Sequence, residues 1–113
     1  MALTALQLAN NELTTSFVTQ YTVPVTSTLR LMEILLCNTS GVARTVTICL
    51  PESGETADEA TPNANAIMKA FDLPIGLPIA LTFNTFLNTG DFISAKASGD
   101  GVVLVASGLL EAL

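Results

Sequence analysis

The sequence contains no histidine and no tryptophan. Without an imidazole there is no Ser–His–Asp or Cys–His arrangement, no histidine general base and no His-containing metal site. Cysteine occurs twice, at Cys37 and Cys49, too few to hold a structural zinc ion unaided. Basic residues are scarce: four Lys and Arg stand against ten Asp and Glu, for a net charge of −6. Nucleic-acid recognition needs a basic face, which four dispersed cations do not make, and an anionic membrane repels the same balance. No apolar run reaches the roughly 18 residues of a transmembrane helix. The opening Met1-Ala2-Leu3-Thr4-Ala5-Leu6 has neither the basic region nor the sustained apolar stretch of a secretory leader. Synthesis in the cytoplasm, with both thiols reduced, is the expectation.

Charge as a whole is also low. Charged residues are 12% of the chain and hydrophobic ones 50%, where a typical soluble domain carries about 25% charge. The chain is therefore too apolar for disorder, and its surface is poorly charged for a lone monomer. Its 113 residues suit one domain, exposing roughly 5,900 Å² when folded.

What is present is β-rich. Residues 1–12 mix helical and extended spacing and read as an N-terminal arm, followed by a β domain over 13–113. Strands are predicted over Thr15–Val23, Thr28–Cys37, Ala43–Leu50, Ala66–Leu73, Ile79–Phe86, Phe92–Ala97 and Val102–Ser107, with a tail Gly108–Leu113. Asn38-Thr39-Ser40-Gly41 and Ser98-Gly99-Asp100-Gly101 read as the turns of two tight hairpins. The first hairpin sets Cys37 near Arg44 and Cys49 near Met32, too far apart to bond. Pro51–Asn65 is a long acidic surface loop, with one helical turn around Thr56–Ala60 and high mobility expected. Strands at this spacing, with no alternating helices, predict an all-β, single-domain antiparallel β-sandwich, jelly-roll-like, of about seven to eight strands.

Candidate chemistry is thin. Glu52, Glu55, Asp58 and Glu59 share the acidic loop, without the fixed cleft a carboxylate pair needs and without the ligand spacing of a calcium loop. Neither cysteine has a basic partner to lower its pKa. Ser98–Gly101 lacks the lysine and the following helix of a phosphate loop. The six aromatics read mainly as core, and only Tyr21 suits a sugar-binding platform. No catalytic residue, metal or cofactor is expected. In the strand Thr28–Cys37, Leu29, Leu31, Glu33, Leu35 and Cys37 fall on one line. Glu33 interrupts an apolar face there, which reads as a subunit contact.

The pieces Tyr21-Thr22-Val23-Pro24, Leu31–Leu36, Cys37-Asn38-Thr39-Ser40-Gly41 and Thr45-Val46-Thr47-Ile48 resemble, in that order, a small β domain of tailed-bacteriophage virions. Asn65-Ala66-Ile67, Leu87–Asp91, Ile93–Ser98 and Val102–Gly108 continue the likeness, which covers roughly Thr14 to Gly108. Two departures are the Val25-Thr26-Ser27 that follows Pro24, where a Gly-containing turn is usual, and the apolar Pro74–Phe83. The resemblance implies a non-enzymatic structural protein of the virion, made in the host cytoplasm. A complete capsid decoration or cement subunit is the expectation, self-associating as a homotrimer and binding the major capsid protein or other virion proteins. A neck, tail or fibre adaptor and a carbohydrate-binding module are the alternatives. The interface is expected on the arm, through Leu3, Leu6 and Leu8, and on the strand face of Leu31, Glu33 and Leu35. The arm is expected to bury its leucines by lying on a neighbour.

Overall fold

The computed structural model describes residues 3–59 and 64–113. Eight strands form: β1 (Leu3–Glu12), β2 (Val18–Thr22), β3 (Ser27–Asn38), β4 (Arg44–Cys49), β5 (Ala66–Leu73), β6 (Ile79–Leu87), β7 (Phe92–Ala97) and β8 (Val102–Ala112). They make two four-stranded sheets, ordered β1-β8-β3-β6 and β2-β7-β4-β5. Every pairing is antiparallel, and a simple rule runs through them: β1 pairs β8, β2 pairs β7, β3 pairs β6 and β4 pairs β5. The chain is thus one long antiparallel hairpin, rolled up and sewn into two sheets by the further pairs β3–β8 and β4–β7. This is the strand order of a jelly roll, an eight-stranded β-sandwich.

Two expected features take a different form. The turns over 38–43 and 98–101 do not close tight hairpins, because β3 and β4 lie in different sheets, as do β7 and β8. Turn residues report a reversal of the chain, which a hairpin and a sheet-to-sheet crossing share. The turn chemistry itself is present: Asn38 Oδ1 accepts from Ser40 N at 3.0 Å and from Ser40 Oγ at 2.7 Å. Cys37 and Cys49 are free thiols in opposite sheets, so their separation comes from the sandwich and not from a hairpin register. Residues 3–12, read as an arm, form the edge strand β1 on the chain's own β8. The tail after Ser107 is the second half of β8, which runs on to Ala112 and so supplies the ladder that β1 occupies.

The core is aliphatic. Leu29, Leu31, Ile34 and Leu36 of β3 are fully buried against Val46, Ile48, Ile93 and Leu104. The six aromatics, expected mainly in the core, are not among the buried residues; Tyr21 and Phe83 pack against its margin. The interior rows pair large with small, as in Ala9–Ala106–Ile34–Leu81, and sheets about 10 Å apart are filled by such branched chains without a ring. The exposed area is 5936 Å², close to the roughly 5,900 Å² expected for a folded monomer of this size. Whatever is unusual about the surface therefore lies in its composition and not in its amount.

Two buried positions hold the sheets together by different means. Asn38 is fully buried, and its Nδ2 donates to Val42 O at 2.8 Å and to Leu73 O at 3.3 Å. It thereby ties the β3–β4 crossing to the end of β5. Gly108 lies in the interior row Leu6–Gly108–Leu31–Thr85, and a Cβ there would sit 2.5 Å from the Arg30 carbonyl oxygen. Asn38→Ala strands several buried polar groups and should cost about 3 kcal/mol. Gly108→Ala should cost about 2 kcal/mol through overpacking against backbone. Chemical denaturation of both variants checks these values; a loss under 0.5 kcal/mol in either would show that its site relaxes freely.

Candidate interaction face

A two-layer sandwich has two outer faces, and here they are treated oppositely. On the β2-β7-β4-β5 sheet, Thr47, Cys49 and Ser94 alternate with the core residues Val46, Ile48, Ile93 and Ala95 and so point outward. All three are nonetheless buried, with Cys49 at 0% exposure. The loop after β4 covers Cys49 and lies beside Ser94, while Thr47 Oγ1 accepts from Ala70 N of β5 at 3.0 Å. Cys49 Sγ lies 3.9 Å from Asp58 O, Ser53 N donates to Asp91 Oδ1 at 3.1 Å, and Phe92 N donates to Pro51 O at 3.1 Å. Glu59 forms an ion pair with Lys96, over which the Phe17 ring stacks at 4.6 Å.

The acidic loop is therefore tied down at both ends. Asn65 Oδ1 accepts from Asp58 N at 2.9 Å, and Asn65 Nδ2 donates to Thr56 O at 2.8 Å. Glu52 and Glu55 are exposed, as a solvated loop requires, while Asp58 and Glu59 are half-buried. Residues 56–59 are irregular, and the Ala60 end of the expected helical turn lies outside the described residues. A cleft of about 300 Å³ remains under the loop, walled by Thr15, Thr45, Thr47, Glu59 and Lys96.

The β1-β8-β3-β6 sheet has no such cover. Its register sets outward-facing rows side by side: Leu3–Glu111–Thr28, Ala5–Leu109–Arg30–Phe86, Gln7–Ser107–Glu33–Thr82, Asn10–Val105–Leu35–Ala80 and Glu12–Val103–Cys37. None of these residues is buried; those on the central strands β8 and β3 are mostly half-exposed, shielded by their neighbours within the sheet. Phe86 is 65% exposed and Leu3 61%. Apolar side chains flank one polar row across the middle of the face, and Arg30, Glu111 and Glu12 stand toward its ends. Arg30 stands 5.0 Å from the Phe86 ring centroid. Among the described residues two ion pairs form, Arg44–Asp100 and Lys96–Glu59, and Glu33 belongs to neither.

The six residues expected at the interface divide evenly. Leu3, Glu33 and Leu35 lie on this outer face, whereas Leu8 and Leu31 are buried in the core and Leu6 packs against it. The cause is a register shift at Met32. Between Leu31 and Glu33 the ladder to β8 moves by one residue while β3 moves by two, so Met32 is extra and the alternation of β3 inverts. Leu29 and Leu31 point inward before it, Ile34 and Leu36 after it, and the single line from Leu31 to Leu35 is broken. Arg30, Phe86, Val105 and Leu109 belong to the face and were not singled out by sequence. The signal was in 102–110, apolar in both phases over a length that only a central strand supports.

The described residues bring together no group of three or more His, Cys, Asp or Glu side chains that would hold a metal. No nucleophile is activated either. Burial pushes the Cys49 thiol up from its ordinary 9.0, partly offset by the Asp58 backbone, and burial likewise pushes the Tyr21 hydroxyl up from 10.0.

No family model and no curated protein matches the sequence. Among solved structures, the T13 particle of infectious bursal disease virus is similar at 14% identity, with a TM-score of 0.49 over 96% of this chain and 30% of that one. The VP2 subviral particle of the same virus is similar at 17% identity, with a TM-score of 0.49 over 96% of this chain and 32% of that one. The jelly-roll class rests on the strand order described above.

Two outcomes follow for the thiols. In the native protein Cys37, half-exposed, should alkylate readily and Cys49 should not, as read by mass spectrometry; equal rates would show that the loop opens freely. A group kept neutral by burial stabilises the fold fully below its ordinary pKa and loses that contribution as pH rises above it. The melting temperature should therefore fall above about pH 9, and Cys49→Ala should flatten the early part of the fall.

Proposed function

We propose that the chain is a structural subunit of a virus particle, a bacteriophage capsid decoration protein that binds the shell through the outer face of its β1-β8-β3-β6 sheet. One observation carries this reading: the protein covers one outer face with its own loop and leaves the other apolar and bare. A contiguous apolar surface of that kind on a soluble domain marks a protein contact. Its apolar side chains, set among Glu12, Glu33, Glu111 and a single cation, Arg30, suit such a contact. The jelly-roll class supports the reading weakly, since capsid and lectin domains share it and a fold does not set a function. The bacteriophage resemblance of the sequence points the same way.

In this reading the partner is the major capsid protein, and the subunits assemble around a threefold axis with the unpaired Glu33 carboxylates held off that axis, where they do not repel. A neck or tail adaptor would use the same face elsewhere in the particle. Sugar binding gains no support, because Tyr21 is half-buried against the core margin.

The test is co-sedimentation with shells stripped of the protein. Leu35→Lys places a charge in the middle of the face at a half-exposed position. It should weaken shell binding more than tenfold, a change of about 1.4 kcal/mol or more, with the thermal melt nearly unchanged. Glu52→Gln with Glu55→Gln, on the exposed part of the loop, should leave binding as it was. Wild-type protein that fails to bind shells, or a Leu35→Lys variant that binds like wild type, would overturn the reading.

A further inference from the structure

The two sheets have four edges, β1, β6, β2 and β5, and three of them are defended or closed. β2 is five residues long with a register shift at Gln20. β5 carries Lys69 and Asp72, two register shifts, and Ala70 in the left-handed region at φ 47°. β1 is shifted at Leu8 and bridged to β2 by Asn11 Nδ2, which donates to Gln20 Oε1 at 3.0 Å. Short strands, charges and irregularities are the usual means by which natural sheets avoid pairing with other chains.

β6 has neither a charge nor a short length to defend it. Its nine residues, Ile79 to Leu87, include no charge, no proline and no glycine, and their exposure alternates throughout, although the ladder to β3 shifts register between Thr82 and Thr85. The sandwich is also open beside it. A groove of about 360 Å³ between β5 and β6 leaves Ile67, Met68, Leu81 and Phe83 incompletely covered. A long, uncharged edge strand next to an open apolar groove is a template for a further strand.

We propose that β6 pairs with β6 of a second copy of this chain across a twofold axis, joining two β1-β8-β3-β6 sheets into one of eight strands. A twofold axis makes the new pair antiparallel, as every other pair in the sheet is. Full overlap puts Phe83 on the axis. On the inner side Phe83 then meets its own copy, Leu81 faces Thr85, and Ile79 faces Leu87. On the outer side the small Ala80 faces the large, exposed Phe86, and Thr82 faces Asn84. The strand is complementary to itself in size and polarity, and pairs of this kind are the unit of sheet stabilisation. The second copy is favoured over another partner by charge. A chain of net charge −6 repels itself, so an uncharged surface favours a self-contact, and β6 is a long edge that supplies one. The added strand also brings apolar side chains over the mouth of the β5–β6 groove.

The experiment is sedimentation equilibrium at about 100 µM, where micromolar contacts are filled, on the wild type and on the double variant Thr82→Lys/Asn84→Lys. Both positions are exposed on the outer side of β6, so the lysines defend the edge without touching the core. The wild-type mass should be an even multiple of the protomer, and the double variant should have half of it. Hydrogen exchange on the wild type gives a second reading that needs no variant: β6 amides should slow as concentration rises, and β5 amides on the other side of the groove should not pair. A monomeric or trimeric wild type, a double variant of unchanged mass, or β6 exchange independent of concentration would overturn the pairing. Leu35→Lys, which tests shell binding, should leave the halving intact, so the face and the edge fail separately.

Discussion

The structure depends on one strand, β8, being paired along both sides. It lies between β1 and β3, and its inner phase of Val102, Leu104, Ala106, Gly108 and Leu110 floors the core under both neighbours. Gly108 sets how closely β3 approaches, because nothing larger fits beside the Arg30 carbonyl. The outer phase of the same strand, Val103, Val105, Ser107 and Leu109, is almost as apolar as the inner one until Glu111 ends it. A strand built this way solves one problem and creates another: it fills a sandwich, and it presents to water a surface that water disfavours.

The other sheet shows how the chain handles that problem when it handles it alone. The rolled hairpin has its tip at the β4–β5 connection, which folds back over Cys49 and beside Ser94 and carries the Glu59 that meets Lys96. On the opposite face the outward residues of β1, β8, β3 and β6 stay exposed or half-exposed. Chain topology therefore decides which face the long connection covers and which stays bare. The surface is of ordinary size, and its exposed apolar side chains lie on the bare sheet, at Leu3, Met32 and Phe86, and also on β2, β5 and the connections, at Val18, Val25, Val42, Ile67, Phe71, Ile75 and Leu77.

The fold class was legible in the sequence because period-two alternation and turn residues survive any arrangement of the strands. Which strands pair was not, because Asn38–Gly41 and Ser98–Gly101 mark reversals without saying whether the chain returns to the same sheet. The bare face was legible in kind more than in place. Excess apolar content and Glu33 within an apolar strand pointed to a contact, and Leu3, Glu33 and Leu35 do lie on the bare face. Leu31 was misassigned because the register shift at Met32 has no local signature; it arises from β3 fitting ladders of different length on its two sides. Leu6 and Leu8 point inward because β1 finds its partner within the chain, in a half of β8 that the sequence suggested was only a tail.

The central claim is that the bare outer face of the β1-β8-β3-β6 sheet is the surface covered in the assembled particle. Hydroxyl-radical footprinting, comparing free protein with protein in the particle, reads this directly at side chains on both faces. Met32, Leu35, Phe86 and Leu109 should lose most of their reactivity on assembly, while Phe17 and Phe92 beside the loop-covered sheet keep theirs. Protection of Phe17 and Phe92 with Met32, Leu35 and Leu109 unchanged would place the contact on the sealed side and contradict the account.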